Sequence, residues 1–462
     1  MTPLVPLALF GWLPLSMILF ASLPAHRAAM VVVVVGMLFL PHAGYEVPVL
    51  SSYGKSAAIS IGLLLGSLLA RDDGGSRFQF TVYDLPIVAW CFLAPIGSSI
   101  ANDLGIRDGV ARSLTAVMEW GVVYWAGRRF FRTGQHVKEL AIAIVAGGLV
   151  YVPLGLFEVR MSPQLSNMFY GFRPGSFLQA VRYGGYRPIV FMRHGLMVAL
   201  WFAVSYTVAI WLWKTRTVSR VLRVGMGVVV VALFTIGVLS KSVNGWFFLL
   251  AGTFSIYYFR RTGSVSLFRI GMLVVPAYIV LRLANAISVE HLTGLVAQLL
   301  DDDRVASLTI RLVQENLFGE KALQRPWFGW GWMGRAWPVD IATGNLAVPM
   351  VDSLFVITLG TSGLVGLVSL YAAMLTPPWK VLTSYAKGQA GIRRSIARLG
   401  PAPIALSLVV AFFLVDSLLN AMLNQIYVLT AGSLLSFWQF SEEEATSPEE
   451  TEDSPALVEH TR

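Results

Sequence analysis

Apolar runs of roughly 14 to 24 residues recur along the chain at about 4–22, 28–41, 57–70, 84–100, 112–127, 138–157, 194–213, 222–240, 244–259, 265–284, 353–376, 402–419 and 423–438. A helix needs ~20 apolar residues to cross the hydrocarbon layer of a bilayer, so this rhythm predicts an all-α polytopic membrane protein with 12–13 transmembrane helices. The second, third and last runs are the shortest and read as tilted, broken or half-inserted. The 462 residues are 56% hydrophobic and 13% charged, more apolar surface than one soluble core can bury. A single cysteine, Cys91, excludes a disulfide scaffold and a cysteine metal site. The first run, Leu4 to Leu23, lacks a basic leader and contains Pro6 and Pro14, so it is expected to be a mature helix rather than a cleaved signal.

One excursion breaks the rhythm, from Ile287 to Met350, between the tenth and eleventh runs. Domain organisation follows from it: a helix bundle over 1–284, a large polar loop with amphipathic helices over 285–351, C-terminal helices over 352–440, and a tail over 441–462. That tail holds eight acids, two prolines and no aromatic residue, a composition expected to stay disordered. Placing the large loop outside puts nineteen basic residues in six short inward connections, against fourteen spread over about twice that length outside. This distribution follows the positive-inside rule. The inward excess sits beside helix ends, where anionic lipid accounts for it and nucleic acid is not implied.

Outward loops of membrane proteins are poor in arginine, yet Arg160, Arg173, Arg182, Arg187 and Arg193 crowd one segment with Tyr170, Tyr183 and Tyr186. A guanidinium fork suits phosphate, whereas lipid headgroups or a local carboxylate such as Glu158 are the plainer partners. Four stretches then share an order and spacing: Gly184-Gly-Tyr-Arg187-Pro-Ile-Val-Phe-Met-Arg-His194-Gly; Leu239-Ser-Lys241-Ser-Val-Asn-Gly-Trp246; Pro326-Trp-Phe-Gly-Trp-Gly-Trp332; and Val351-Asp352-Ser-Leu-Phe-Val-Ile-Thr-Leu-Gly-Thr-Ser-Gly363. Together they resemble the O-antigen ligase and O-antigen polymerase superfamily of bacterial membrane glycosyltransferases, over roughly residues 85 to 438.

The resemblance implies a reaction on the outer face of the bacterial cytoplasmic membrane, in the assembly of exopolysaccharide or lipopolysaccharide. A glycan is taken from undecaprenyl pyrophosphate and passed to a hydroxyl of a second glycan or of a lipid core. It implies no metal, cofactor or nucleotide sugar, and as partners the lipid-linked donor, the glycan acceptor, the bilayer and other polysaccharide-assembly proteins. The chemistry asks for cations on the departing pyrophosphate, a base for the acceptor hydroxyl, and a groove aligning both glycans.

Arg187 matches the family's arginine, after a Gly-Gly turn at the mouth of a helix, and is the first candidate for the pyrophosphate; snorkelling to headgroups is the plainer reading. Arg193 and His194 follow it. Lys241 stands where the family often has Arg in a Ser-Arg-Gly motif, keeping the charge but losing the fork. Arg311 sits at helical spacing from Leu308, Leu312 and Glu315 and matches an arginine of the family, although an ion pair to Glu315 alone explains it. Arg325 and Arg335 bracket Trp330 and Trp332, which can stack on sugars or anchor the loop at the interface. Many relatives carry His-Asn where this chain has Asp352-Ser353; Asp352 is a candidate base or a helix N-cap. His194 and His291 are fallback bases.

Glu119 and Asp416 lie inside expected spans, where acids are functional or partnered; Arg282 and Lys241 are possible partners across the bundle. The same acids suit a proton-coupled transporter or lipid-linked-glycan flippase, although no internal repeat supports one. A non-catalytic scaffold of an envelope polysaccharide complex is the third reading.

Overall fold

In a computed structural model the chain is an all-α membrane protein, 75% helical. Residues 1–47, 52–70, 78–298, 302–339, 351–385 and 389–446 are described. Every apolar run coincides with helix. Six helices among the described residues are long and apolar enough to cross a membrane, seven if Ala390–Leu399 and Ala402–Ser417, bent by 91°, form one span. That count is lower than the run count because several runs make short helices: Ala25–Phe39, Lys55–Ser67 and Met226–Leu239. Among the described residues, paired strands form three hairpins with arms of two residues each.

Helix Gly195–Lys214 is the axis of the bundle. Its apolar window is wholly buried, and it packs against Gly134–Met161, Met226–Leu239, Val243–Thr262 and Ala402–Ser417. A helix that is apolar all round belongs there, because no face requires water. Its neighbours approach closely where small residues meet. The Cβ of an alanine at Gly252 would lie 2.1 Å from Thr207 Oγ1, and one at Gly148 would lie 2.5 Å from Ser205 Cβ.

The connections sort into two ends. At one, Lys241 Nζ donates to Tyr183 O (3.1 Å), Lys55 Nζ to Phe191 O (3.0 Å) and Arg325 Nη1 to Asn102 Oδ1 (2.5 Å). At the other, Lys380 Nζ donates to Tyr83 Oη, Gln439 Nε2 to Thr81 Oγ1 and Ser384 Oγ to Glu442 Oε1. Arg128 and Asp84, each 2% exposed, are paired there through two hydrogen bonds of 2.7 and 2.9 Å. Each end thus gathers the loops that alternate in sequence.

The tail begins later than composition predicts. Helix Gln425–Thr446 carries Ser441 to Thr446, and Glu442 is held by Ser384, so the expected disorder from residue 441 is wrong for these six residues. A helix already formed by apolar packing extends through Glu442 and Glu443 because partners await them at that end. The remainder of the tail, and residues 299–301 and 340–350 of the polar loop, lie outside the described residues.

Candidate functional site

The segment from Met161 to Gly195 is folded by one carboxylate. Glu158, 1% exposed, accepts hydrogen bonds from the backbone N–H groups of Leu165 (2.9 Å), Ile189 (2.7 Å) and Val190 (2.7 Å). It is therefore committed to backbone and is not the local counter-charge considered for the arginines. A hairpin pairs Val181–Arg182 with Gly185–Tyr186. Tyr183 (φ 47°) and Gly184 (φ 65°) turn it, both left-handed, as a two-residue primed turn demands.

Arg187 leaves this hairpin and turns into the protein. It is 6% exposed, its Nη2 donates to Lys241 O (3.1 Å), and its N–H donates to Ala180 O (2.8 Å). Gly195 makes room for its stem, since an added Cβ would lie 2.3 Å from Arg187 Cδ. Lys241, itself left-handed at φ 52°, returns the link through Nζ to Tyr183 O. Arg187 and Lys241 are thus one interlocked unit, and the arginine is buried rather than snorkelling at a headgroup.

His194 is the N-cap of the axial helix. Its Nδ1 accepts from Leu196 N–H (3.1 Å) and its Nε2 faces Gln179 Oε1 (3.1 Å). The first bond fixes a bare Nδ1, so the proton sits on Nε2 and is donated to Gln179. Both ring nitrogens are engaged within the protein, which removes His194 as a base. Burial, together with the charges of Arg187, Arg311, Arg182 and Arg193, pushes it down to about 4, leaving it neutral at ordinary pH. Four guanidiniums therefore converge on this helix end, and with Arg187 and His194 a recess is lined by Gln179, Ser176 and Gly175.

The polar loop supplies Arg311 on helix Asp302–Leu323. Its expected partner Glu315 is taken instead by Arg282 (3.2 Å) and Tyr278 Oη (2.9 Å). Arg282 also donates to Ile287 O, Leu312 O and Asn316 Oδ1, fixing the loop helix to the end of Ser266–Leu283. Arg311 is left to meet Asp352 at 3.5 Å, and its charge also reaches His194 and Asp416. Asp352 is not at the N-cap position of Leu354–Thr383, which falls to Ser353, whose side chain makes no capping hydrogen bond. Arg187 thus meets Lys241 and Arg311 meets Asp352, and the charges of Arg187, Arg193 and Arg311 all act on His194.

Arg325, Trp330, Trp332 and Arg335 meet a different set of partners. Arg325 and Arg335 donate to Asn102, and Trp330 donates to Lys321 O (2.8 Å) with Lys321 Nζ and the Arg325 guanidinium 3.8 and 4.6 Å from its ring centre. Trp332 is 53% exposed. The glycines between them lock onto a break in helix Leu354–Thr383 at Gly363 (φ 64°, ψ −164°). There Leu364 N–H donates to Pro326 O (2.7 Å) and Val365 N–H to Trp327 O (3.1 Å), while Trp330 N–H donates to Gly360 O (2.8 Å) and Gly331 N–H to Thr361 O (3.1 Å). The loop backbone supplies the partners that the broken helix lacks. Tyr170 and Tyr183 are likewise engaged internally, Tyr170 donating to Phe39 O (2.7 Å) and Tyr183 stacked on Trp246 (5.6 Å).

The acids of the spans find partners other than those expected. Asp416 takes Asn244 and Asn420, while Arg282 goes to Glu315 and Lys241 to a carbonyl. Glu119 lies within electrostatic reach of Arg193, on a π-helical turn at Val117–Gly121, the kind of turn frequent at functional sites. Lys55, 6% exposed and held by Met37 O and Phe191 O, joins this end of the molecule. In the sequence it reads as an ordinary loop lysine. No protein-family model matches the chain, and no curated protein matches it.

Proposed function

We propose that the chain is a membrane glycosyltransferase that transfers or polymerises a glycan carried on undecaprenyl pyrophosphate, working on the outer face of a bacterial cytoplasmic membrane as the resemblance to O-antigen ligases and polymerases implies. The observation that carries this reading is the hairpin that brings Arg182, Arg187 and Arg193 up to His194, the N-cap of helix Gly195–Lys214, where the charge of the Arg311–Asp352 pair also acts. Positive charge gathered beside a helix N-terminus, itself carrying a partial positive charge, repels itself and is kept for an anion.

The acceptor oxygen attacks the anomeric carbon, the bond from that carbon to the phosphate oxygen breaks, and its electrons leave on the pyrophosphate. Arg187, Arg193, Arg311 and Lys241 offset the charge that develops on the leaving group. Asp352, paired to Arg311, takes the acceptor proton. A transporter draws its support from the buried acids, but Asp416 is held by two amides and so makes a poor proton relay.

Removing the Arg187 charge tests the assignment. Arg187→Ala is expected to abolish polymer or ligated product at unchanged protein level in the membrane, with Arg187→Lys intermediate because it keeps charge and loses the fork. Wild-type product from Arg187→Ala removes the pyrophosphate site.

A further inference from the structure

We propose that Asp416 and Asn420, with Asn244, form a hydroxyl-binding subsite for the lipid-proximal sugar of the donor; this rests on the function proposed above. Asp416 ends helix Ala402–Ser417 and is 5% exposed, and Asn420 is 3% exposed. One carboxylate oxygen, Oδ1, accepts from Asn420 Nδ2 (2.8 Å) and from Asn244 Nδ2. The other accepts no hydrogen bond among the described residues. Asn420 Oδ1 is buried and without a partner among them.

Asn420 Oδ1, buried with no protein donor, carries a desolvation cost that something which donates must offset, and the unbonded carboxylate oxygen of Asp416 offers a second acceptor. A hydroxyl-bearing ring does so. A cation is disfavoured, because the Arg311 charge acts on Asp416. The location fits the same ligand. Asn244 is partly exposed and sits in the first turn of helix Val243–Thr262, three residues after Lys241, whose carbonyl holds Arg187. A pyrophosphate seated among the arginines places its first sugar beside these amides. Residues 418–424 leave the helical path between two apolar helices, and non-helical backbone at such depth is tolerated where it lines a polar cavity.

The test uses the full chain in nanodiscs and four probes: undecaprenyl pyrophosphate alone, and its glucose, galactose and N-acetylglucosamine adducts. At least one adduct is expected to bind about tenfold tighter than the bare lipid pyrophosphate, the value of one or two well-made hydrogen bonds. Asn420→Leu should erase that preference while leaving affinity for the bare lipid unchanged, with the melting temperature lowered only by the loss of its hydrogen bond to Asp416. Asp416→Asn, which keeps amide contacts, should erase it too. The preference surviving in both variants, as when the orphaned oxygen holds only a buried water, or no adduct exceeding the bare lipid in wild type, overturns the subsite. Arg187→Ala should weaken all four probes alike; if it weakens none, the pyrophosphate reading fails separately.

Discussion

Asp352 and Arg311 stand 3.5 Å apart with 28% and 30% of their side chains exposed. A pair of this kind contributes at most about 1 kcal/mol to stability, so folding gives little reason for its geometry. The proposed transfer gives one, because the guanidinium holds the carboxylate in place for an acceptor hydroxyl. Asp352→Asn is therefore expected to leave melting temperature and expression near wild type while slowing glycan transfer by about 10²-fold or more. Normal transfer by Asp352→Asn, measured with purified protein and lipid-linked donor, removes the residue as base. His194 does not inherit the role, since both its nitrogens are committed. At this scale the sequence points to residue types and positions. It cannot distribute partners: Glu315, four residues from Arg311, belongs to Arg282 because Arg282 projects from a different helix into the same buried space.

The element whose role changes most is the Trp-Gly loop. Beside its expected part as a sugar platform or interfacial anchor, it is a clasp on the break in helix Leu354–Thr383, and its glycines are needed for close contact. A Cβ at Gly363 would lie 2.3 Å from Trp327 backbone, and one at Gly329 would lie 2.7 Å from Gly360 O, both at left-handed φ. Neither neighbour can retreat without breaking hydrogen bonds across the clasp. Gly363→Ala is expected to cost more than the ~1–3 kcal/mol of such backbone strain alone, seen as a fall of several degrees in the melting temperature of the detergent-solubilised protein. A melting temperature equal to wild type refutes the clasp. Because the same helix begins beside Asp352, loosening it also disturbs the Arg311 pair, so transfer falls with stability in this variant and not in Asp352→Asn.

Across the whole molecule, the loops of the arginine cluster share one end and the basic connections expected inside share the other. Part of that inward charge is consumed within the fold: Arg128 is buried against Asp84, and Arg27 forks onto Glu139 at 2.7 and 2.9 Å. Arg393, Arg394 and Arg398 on helix Gln389–Leu399 stay exposed. The orientation is checked with single cysteines in a Cys91→Ser background. Exposed Gln324→Cys is expected to react with a membrane-impermeant maleimide in intact cells, and exposed Ala397→Cys only after the membrane is opened. The reverse pattern inverts the topology and removes an outer-face reaction.

Hydrophobic length alone determined that the chain is a helical membrane protein and where nearly every helix runs, because apolar runs of that size have few other stable fates in lipid. Charge composition marked the polar excursion and the basic connections for the same local reason. Tertiary structure decided everything that depends on which side chains meet across the bundle. It gathered Arg182, Arg187, Arg193 and Arg311 at one helix end, gave Asp352 to Arg311, and buried Asp416 among amides. It also turned two glycine motifs into halves of one clasp. Those outcomes follow from packing between helices far apart in sequence, and a linear pattern carries no record of such distances.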